Sequence, residues 1–132
     1  MKNYNSLLFI FIILLCNICY CIGNNENCPN RCACALLTVV CTGQALTSIP
    51  LNIPPGTIRL DLQQNQISNI YKDDFKNLSS LKYLDLSNNA LQTIEEDAFA
   101  DLINLERIRL NKNKLKQLPD YLFHRMQKLN RL

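Results

Sequence analysis

The sequence predicts a short curved solenoid of the α/β type: a parallel β-sheet, a disulfide-bonded cap at its N-terminal end, and a mostly irregular convex side. Three observations predict it. Residues 57–128 divide into three consecutive stretches of 24 residues that align without a gap. Apolar residues recur at the same places in each stretch, alternating at first and then spreading out. Four cysteines crowd residues 28–41, directly ahead of the repeats.

Taken in chain order, residues 1–23 read as a secretory signal peptide. "MKNYNSLLFIFIILLCNICYCIG" carries one positive charge, Lys2, then an apolar core from Leu7 to Leu15 and moderately small residues near Cys21 and Gly23. A membrane anchor is the competing reading. A span needs roughly 20 apolar residues, and Asn17 interrupts this one, although Ile18 to Ile22 extend it. Cleavage is expected after Cys21 or Gly23. Of seven cysteines, Cys16, Cys19 and Cys21 then leave with the signal. The four that remain suit two disulfides in a secreted, extracellular product.

Residues 28–56 form the expected cap and an incomplete first repeat. The outer strand of a solenoid has no neighbour, so its core edge must be covered. "CPNRCACALLTVVC" is placed to do so. Pairing Cys32 with Cys34 would bridge residues two apart, which is strained. Cys28–Cys34 with Cys32–Cys41 remains open, as does Cys28–Cys32 with Cys34–Cys41. Four thiolates on zinc are the alternative chemistry, disfavoured by the secretory signal and by the lack of paired C-x2-C knuckles. In "LTSIPLNIPPG", Leu46 and Ile49 take core roles, while Pro50, Pro54 and Pro55 keep the convex side non-helical.

The repeats are 57–80, 81–104 and 105–128, and residues 129–132 begin a fourth. Position 4 of each is Leu60, Leu84, Ile108 and then Leu132; position 6 is Leu62, Leu86 and Leu110. This alternation gives a strand one apolar face, which a single strand cannot bury but a stack can. Position 11 is Ile67, Leu91 and Leu115, and position 14 is Ile70, Ile94 and Leu118. Position 9 is always Asn (Asn65, Asn89, Asn113), placed where the chain leaves the strand and its amide can bond the backbone of neighbouring turns. Position 19 is always Phe (Phe75, Phe99, Phe123), a plug from the returning side, followed at position 22 by Leu78, Leu102 and Met126. This is the leucine-rich-repeat pattern, and these columns are scaffold. Strands are expected near 58–63, 82–87 and 106–111. Leu105, Ile108, Leu110 and Leu115 meet only the stub "LNRL", so much of their surface is expected to face water. Continuation into further repeats and a cysteine-bearing C-terminal cap is the expectation that follows.

The stretch "CPNRCAC…VVCTGQALTSIPLNIPPGTIRLDLQQNQI" resembles the N-terminal leucine-rich cap of extracellular proteins. More narrowly, "DLINLERIRLNKNKL" and the P-x-x-L-F before "KLNRL" are similar to the first leucine-rich domain of the Slit family of secreted guidance ligands. The resemblance covers residues 28–132. It implies the pairing Cys28–Cys34 and Cys32–Cys41, and a role in extracellular signalling and axon guidance. In that family the Roundabout receptor binds a second repeat domain that this sequence lacks, so no residue here inherits that contact. The first domain implies a heparan-sulfate-contacting or accessory module, and the chain then reads as an N-terminal fragment. The alternative is the start of a generic leucine-rich receptor or adhesion ectodomain.

A partner is expected on the strand face. Position 3 reads Arg59, Tyr83, Arg107, Arg131, and Tyr and Arg are common anchors of interfaces. The formal net charge of +3 is unevenly spread. Residues 24–104 carry five basic and nine acidic side chains, whereas residues 105–132 carry eight basic and two acidic. Arg107, Arg109, Lys112 and Arg131, with Lys114 and Lys116, form a basic edge able to attract heparan sulfate or an acidic protein. Asn77, in "NLS", is the one glycosylation acceptor expected, on the convex side. No nucleic acid, small-molecule substrate or cofactor is expected. His124 is the only histidine, and no nucleophile–base set accompanies it. The run "EED" at 95–97 falls on a convex loop, so catalysis is not expected.

Overall fold

The computed structural model describes residues 27–132; the expected signal segment lies outside them. Its main sheet has five short strands in the order β1-β2-β3-β5-β7. They are β1 (Ala33–Ala35), β2 (Thr38–Val40), β3 (Arg59–Asp61), β5 (Tyr83–Asp85) and β7 (Arg107–Arg109). On the returning side, β4 (Asn69–Ile70) pairs in parallel with β6 (Thr93–Ile94). Strands β3, β5 and β7 centre on the three expected segments, and every strand of the main sheet holds only three residues. The chain bends away after one pleat to start its return, which leaves no room for longer ladders.

Register follows the repeat alignment. Leu60 faces Leu84, which faces Ile108, and Arg59, Tyr83 and Arg107 form the adjoining column. Arg131 extends that column through a parallel bridge to Arg107. The core is a stack of repeated layers containing Leu60, Leu84 and Ile108, then Leu62 and Leu86, then Ile67 and Leu91, all buried. Phe75, Phe99 and Phe123 stack through the convex side, with ring centroids 5.6 Å and 6.3 Å apart. Position 1 is a further core column that the sequence reading passed over: Thr57, Leu81 and Leu105 are all buried.

The asparagine column knits successive turns together. Asn89 Oδ1 accepts the Ile67 N–H at 3.1 Å, and its Nδ2 donates to the carbonyls of Leu62 at 2.9 Å and Leu86 at 3.1 Å. Asn113 repeats this set on Leu91, Leu86 and Leu110. Asn65 repeats it on Leu46, Cys41 and Leu62. Each side chain thus satisfies backbone groups that no regular ladder reaches. The residue before each Asn turns the chain with positive φ: Gln64 at 58°, Asn88 at 54° and Lys112 at 57°. Gly43, with φ 66°, holds the same place one turn earlier. Gly meets that geometry without steric cost, whereas the non-glycine residues give up of order 1 kcal/mol each.

Gly43 reveals what the cap is. β2 pairs in parallel with β3, setting Val39 beside Leu60, and Val39 and Cys41 are buried in the core. Val39, Cys41, Leu46 and Ile49 therefore fill positions 4, 6, 11 and 14 of a shortened turn, so the "incomplete" repeat owns a strand. Cys28 is bonded to Cys34 and Cys32 to Cys41. β1 folds back antiparallel on β2 and covers its outer edge, which protects an otherwise open strand from pairing with another chain.

The opposite end differs from expectation in two directions. Leu105 and Ile108 are fully buried, because residues 129–131 already lie against them: Arg131 C=O accepts the Ile108 N–H at 3.1 Å, and Leu129 packs on the core. Leu118, assigned to a core column, is 39% exposed, and Leu132 is 74% exposed. Both sit at the last turn of the described residues.

Candidate functional site: the concave strand face

The parallel register places Arg59, Tyr83 and Arg107 side by side on three adjacent strands, with Arg131 beyond. The Arg107 guanidinium carbon lies 5.8 Å from the Tyr83 ring centroid, within cation–π range. The Tyr83 phenol oxygen is 3.5 Å from Glu106 Oε2, a long and weak contact, and Glu106 Oε1 is 3.1 Å from Lys82 Nζ.

Position 5 behaves otherwise than its outward direction suggests. Asp61 and Asp85 are only 6% and 7% exposed, since these short side chains sink between longer neighbours. Two carboxylates stand in one column there, and each is compensated. Asp61 is 3.5 Å from Arg59 and accepts hydrogen bonds from the Thr42 hydroxyl and the Gln63 amide. Asp85 is 3.2 Å from Arg109 and accepts from the backbone N–H and hydroxyl of Ser87. Arg59, expected in the position 3 strip, and Arg109, expected in the basic edge, are therefore partly neutralised. The signal was present: Asp85 and Arg109 share a column in the repeat alignment and become direct neighbours once the strands pair.

Arg107 differs from both. Its Nε is buried and makes no hydrogen bond to the described residues. Beside it, a concave pocket of about 90 Å³ is bounded by Arg59, Tyr83, Asp85, Arg107 and Arg109. Lys112, Lys114 and Lys116 stand apart, exposed on the segment after β7. Asn77 is exposed on the convex side, its backbone N–H donating to Asp101 Oδ2 at 2.7 Å. His124 is also exposed, with Nδ1 2.6 Å from the Tyr121 carbonyl. Among the described residues no group of three His, Cys, Asp or Glu side chains is placed to hold a metal ion.

Comparison with known proteins agrees with this architecture. The leucine-rich-repeat family model matches residues 55–115. Biglycan of Xenopus laevis is 54% identical over 54 residues, which are 41% of this chain and 15% of biglycan. Human 5T4, a trophoblast glycoprotein, superposes with a TM-score of 0.71 at 29% identity, over 77% of this chain and 38% of 5T4. A chain of the Drosophila Toll–Spätzle complex superposes with a TM-score of 0.60 at 33% identity, over 64% of this chain and 12% of that one. The chain matches only a minor part of the length of each. The molecule is a leucine-rich-repeat solenoid with N-terminal disulfides, and these relatives do not single out the Slit family.

Proposed function

We propose that the chain is an extracellular protein-interaction module that docks its partner on the concave column Arg59, Tyr83, Arg107 and Arg131. One observation carries this reading: the Arg107 guanidinium lies over the half-buried Tyr83 ring of the concave face, 5.8 Å from its centroid. A pre-positioned aromatic–arginine pair loses little side-chain freedom on binding, and such residues dominate interface energetics. The two disulfides support an oxidising, extracellular setting. The relatives support a binding role rather than catalysis, and the Toll structure is itself that of a complex with Spätzle.

The test is a binding screen of the secreted chain against displayed extracellular proteins, repeated with variants. Tyr83→Ala combined with Arg107→Glu is expected to weaken any bound partner by about 30-fold or more, the loss of a ~2 kcal/mol hot spot. Lys76→Glu, on the convex side, is expected to leave binding unchanged. Binding lost with Lys76→Glu and retained in the concave variant would contradict the reading. The partner's identity also separates the finer assignments. The resemblance of the repeats to Slit's first domain supports guidance signalling, and the likeness to 5T4 and Toll supports a receptor-type ectodomain.

A second reading, contact with heparan sulfate, is favoured by the exposed Lys112, Lys114 and Lys116. Changing these three to Ala is expected to lower the salt needed for elution from a heparin column, because the attraction is electrostatic and screened. Arg109→Ala is expected to have less effect, since Asp85 already neutralises that guanidinium. Elution unchanged by the lysine variant would assign the row to solubility.

A further inference from the structure

Three guanidiniums border the concave pocket, and they are not equivalent. Arg59 and Arg109 each spend part of their donor capacity on Asp61 and Asp85. Arg107 does not: its Nε is buried without an acceptor among the described residues, its guanidinium carbon lies 5.8 Å from the Tyr83 ring centroid, and its terminal nitrogens enter neither of the ion pairs that occupy Arg59 and Arg109. Burying an unpaired donor is costly, the more so when it is charged. The only carboxylate lining the pocket is Asp85, already taken by Arg109 and Ser87. The pocket therefore has donors to spare and no free acceptor, so the group it suits is an anion. Its volume of about 90 Å³ is well above the roughly 10–15 Å³ that seats one water on the same measure, so a small anionic group such as a carboxylate fits.

We propose that this pocket seats one carboxylate, the side chain of a Glu or Asp presented by the protein partner, with Arg107 as its principal donor. The proposal rests on the concave docking reading and deepens it. A protein carboxylate suits the site better than a sulfated glycan. Asp61 and Asp85 lie just beneath the strip. One isolated carboxylate above them still meets net positive charge from three arginines. A polyanion laid along the same column would set its further charges against those buried carboxylates, and it finds a better match on the exposed lysines after β7. Arg is also the residue whose planar fork fits a carboxylate in two-point contact.

The test follows the arginine Nε–H resonances of the secreted, ¹⁵N-labelled chain during titration with three probes. These are the capped peptide Ac-Gly-Glu-Gly-NH2, its glutamine counterpart and a heparin-derived disaccharide. The glutamate peptide is expected to shift the Arg107 signal saturably and the glutamine peptide is not. Arg107→Lys, which keeps the charge but removes Nε and the fork, is expected to weaken the glutamate peptide about tenfold, the loss of one charge-assisted hydrogen bond. The remaining signals and the melting temperature of that variant should be unchanged. No glutamate-specific shift, or a disaccharide that shifts Arg107 at lower concentration than the peptide does, would overturn the proposal. If the binding screen still returns a partner sensitive to the concave variants, only the carboxylate assignment is lost and the docking face stands.

Discussion

Phe99→Ala is expected to destabilise the domain by about 3–5 kcal/mol, the range for truncating a buried aromatic side chain. Phe99 is the middle ring of the convex stack, between Phe75 at 5.6 Å and Phe123 at 6.3 Å. Removing it empties the layer that joins the second repeat to both neighbours. A solenoid has no other long-range contact to compensate, because each repeat touches only the next. Urea unfolding of the secreted chain measures the effect. Phe123→Ala is expected to cost less, since Phe123 is half-buried and has a partner ring on one side only. Equal losses at the two positions would mean that the rings do not act as a stack.

Asn89→Ala is expected to cost about 1–3 kcal/mol, although it removes only polar atoms. It leaves the Ile67 N–H without a partner, while the Leu62 and Leu86 carbonyls each lose one of two donors and keep Asn65 and Asn113. Leaving a buried backbone group unpaired costs about 1–3 kcal/mol. Asn89→Asp is a sharper probe. It keeps an acceptor for the Ile67 N–H but brings a carboxylate against the Leu62 and Leu86 carbonyls, where Nδ2 donated. It is expected to be at least as damaging as Ala. Asn113→Ala should be milder, because Asn113 is half-buried and water can replace its bonds. Thermal unfolding of the three variants side by side gives the ranking.

What the sequence made legible was periodic. Columns that recur every 24 residues, such as Leu60, Leu84 and Ile108, report a stack directly, because a stack aligns like with like. The cap strand was missed for the complementary reason. Val39 lies 21 residues before Leu60, so the first turn falls out of the repeat's phase, and its Asn place is held by Gln44. Position 1 was missed because Thr57 begins the column and disguises Leu81 and Leu105. The strip of position 3 was readable as an alignment column. The compensation of its charges is less legible: Asp85 meets Arg109 only when the strands pair, and Asp61 meets Arg59 only through side-chain placement. That Arg107 keeps a buried donor without a partner among the described residues depends on side-chain placement beside Tyr83, which spacing does not encode.

The central claim is that the concave face receives the partner, and two tyrosines allow it to be tested in one molecule. Tyr83 lies on the strand face, and Tyr71 is exposed where the chain turns back on the convex side after β4. Each is replaced in turn by the photo-crosslinking amino acid p-benzoylphenylalanine in the secreted chain. The two proteins are then irradiated with a partner returned by the binding screen. The account predicts a covalent adduct from position 83 and none from position 71. An adduct from position 71 with none from position 83 would contradict it, because the partner would then sit on the returning side of the solenoid.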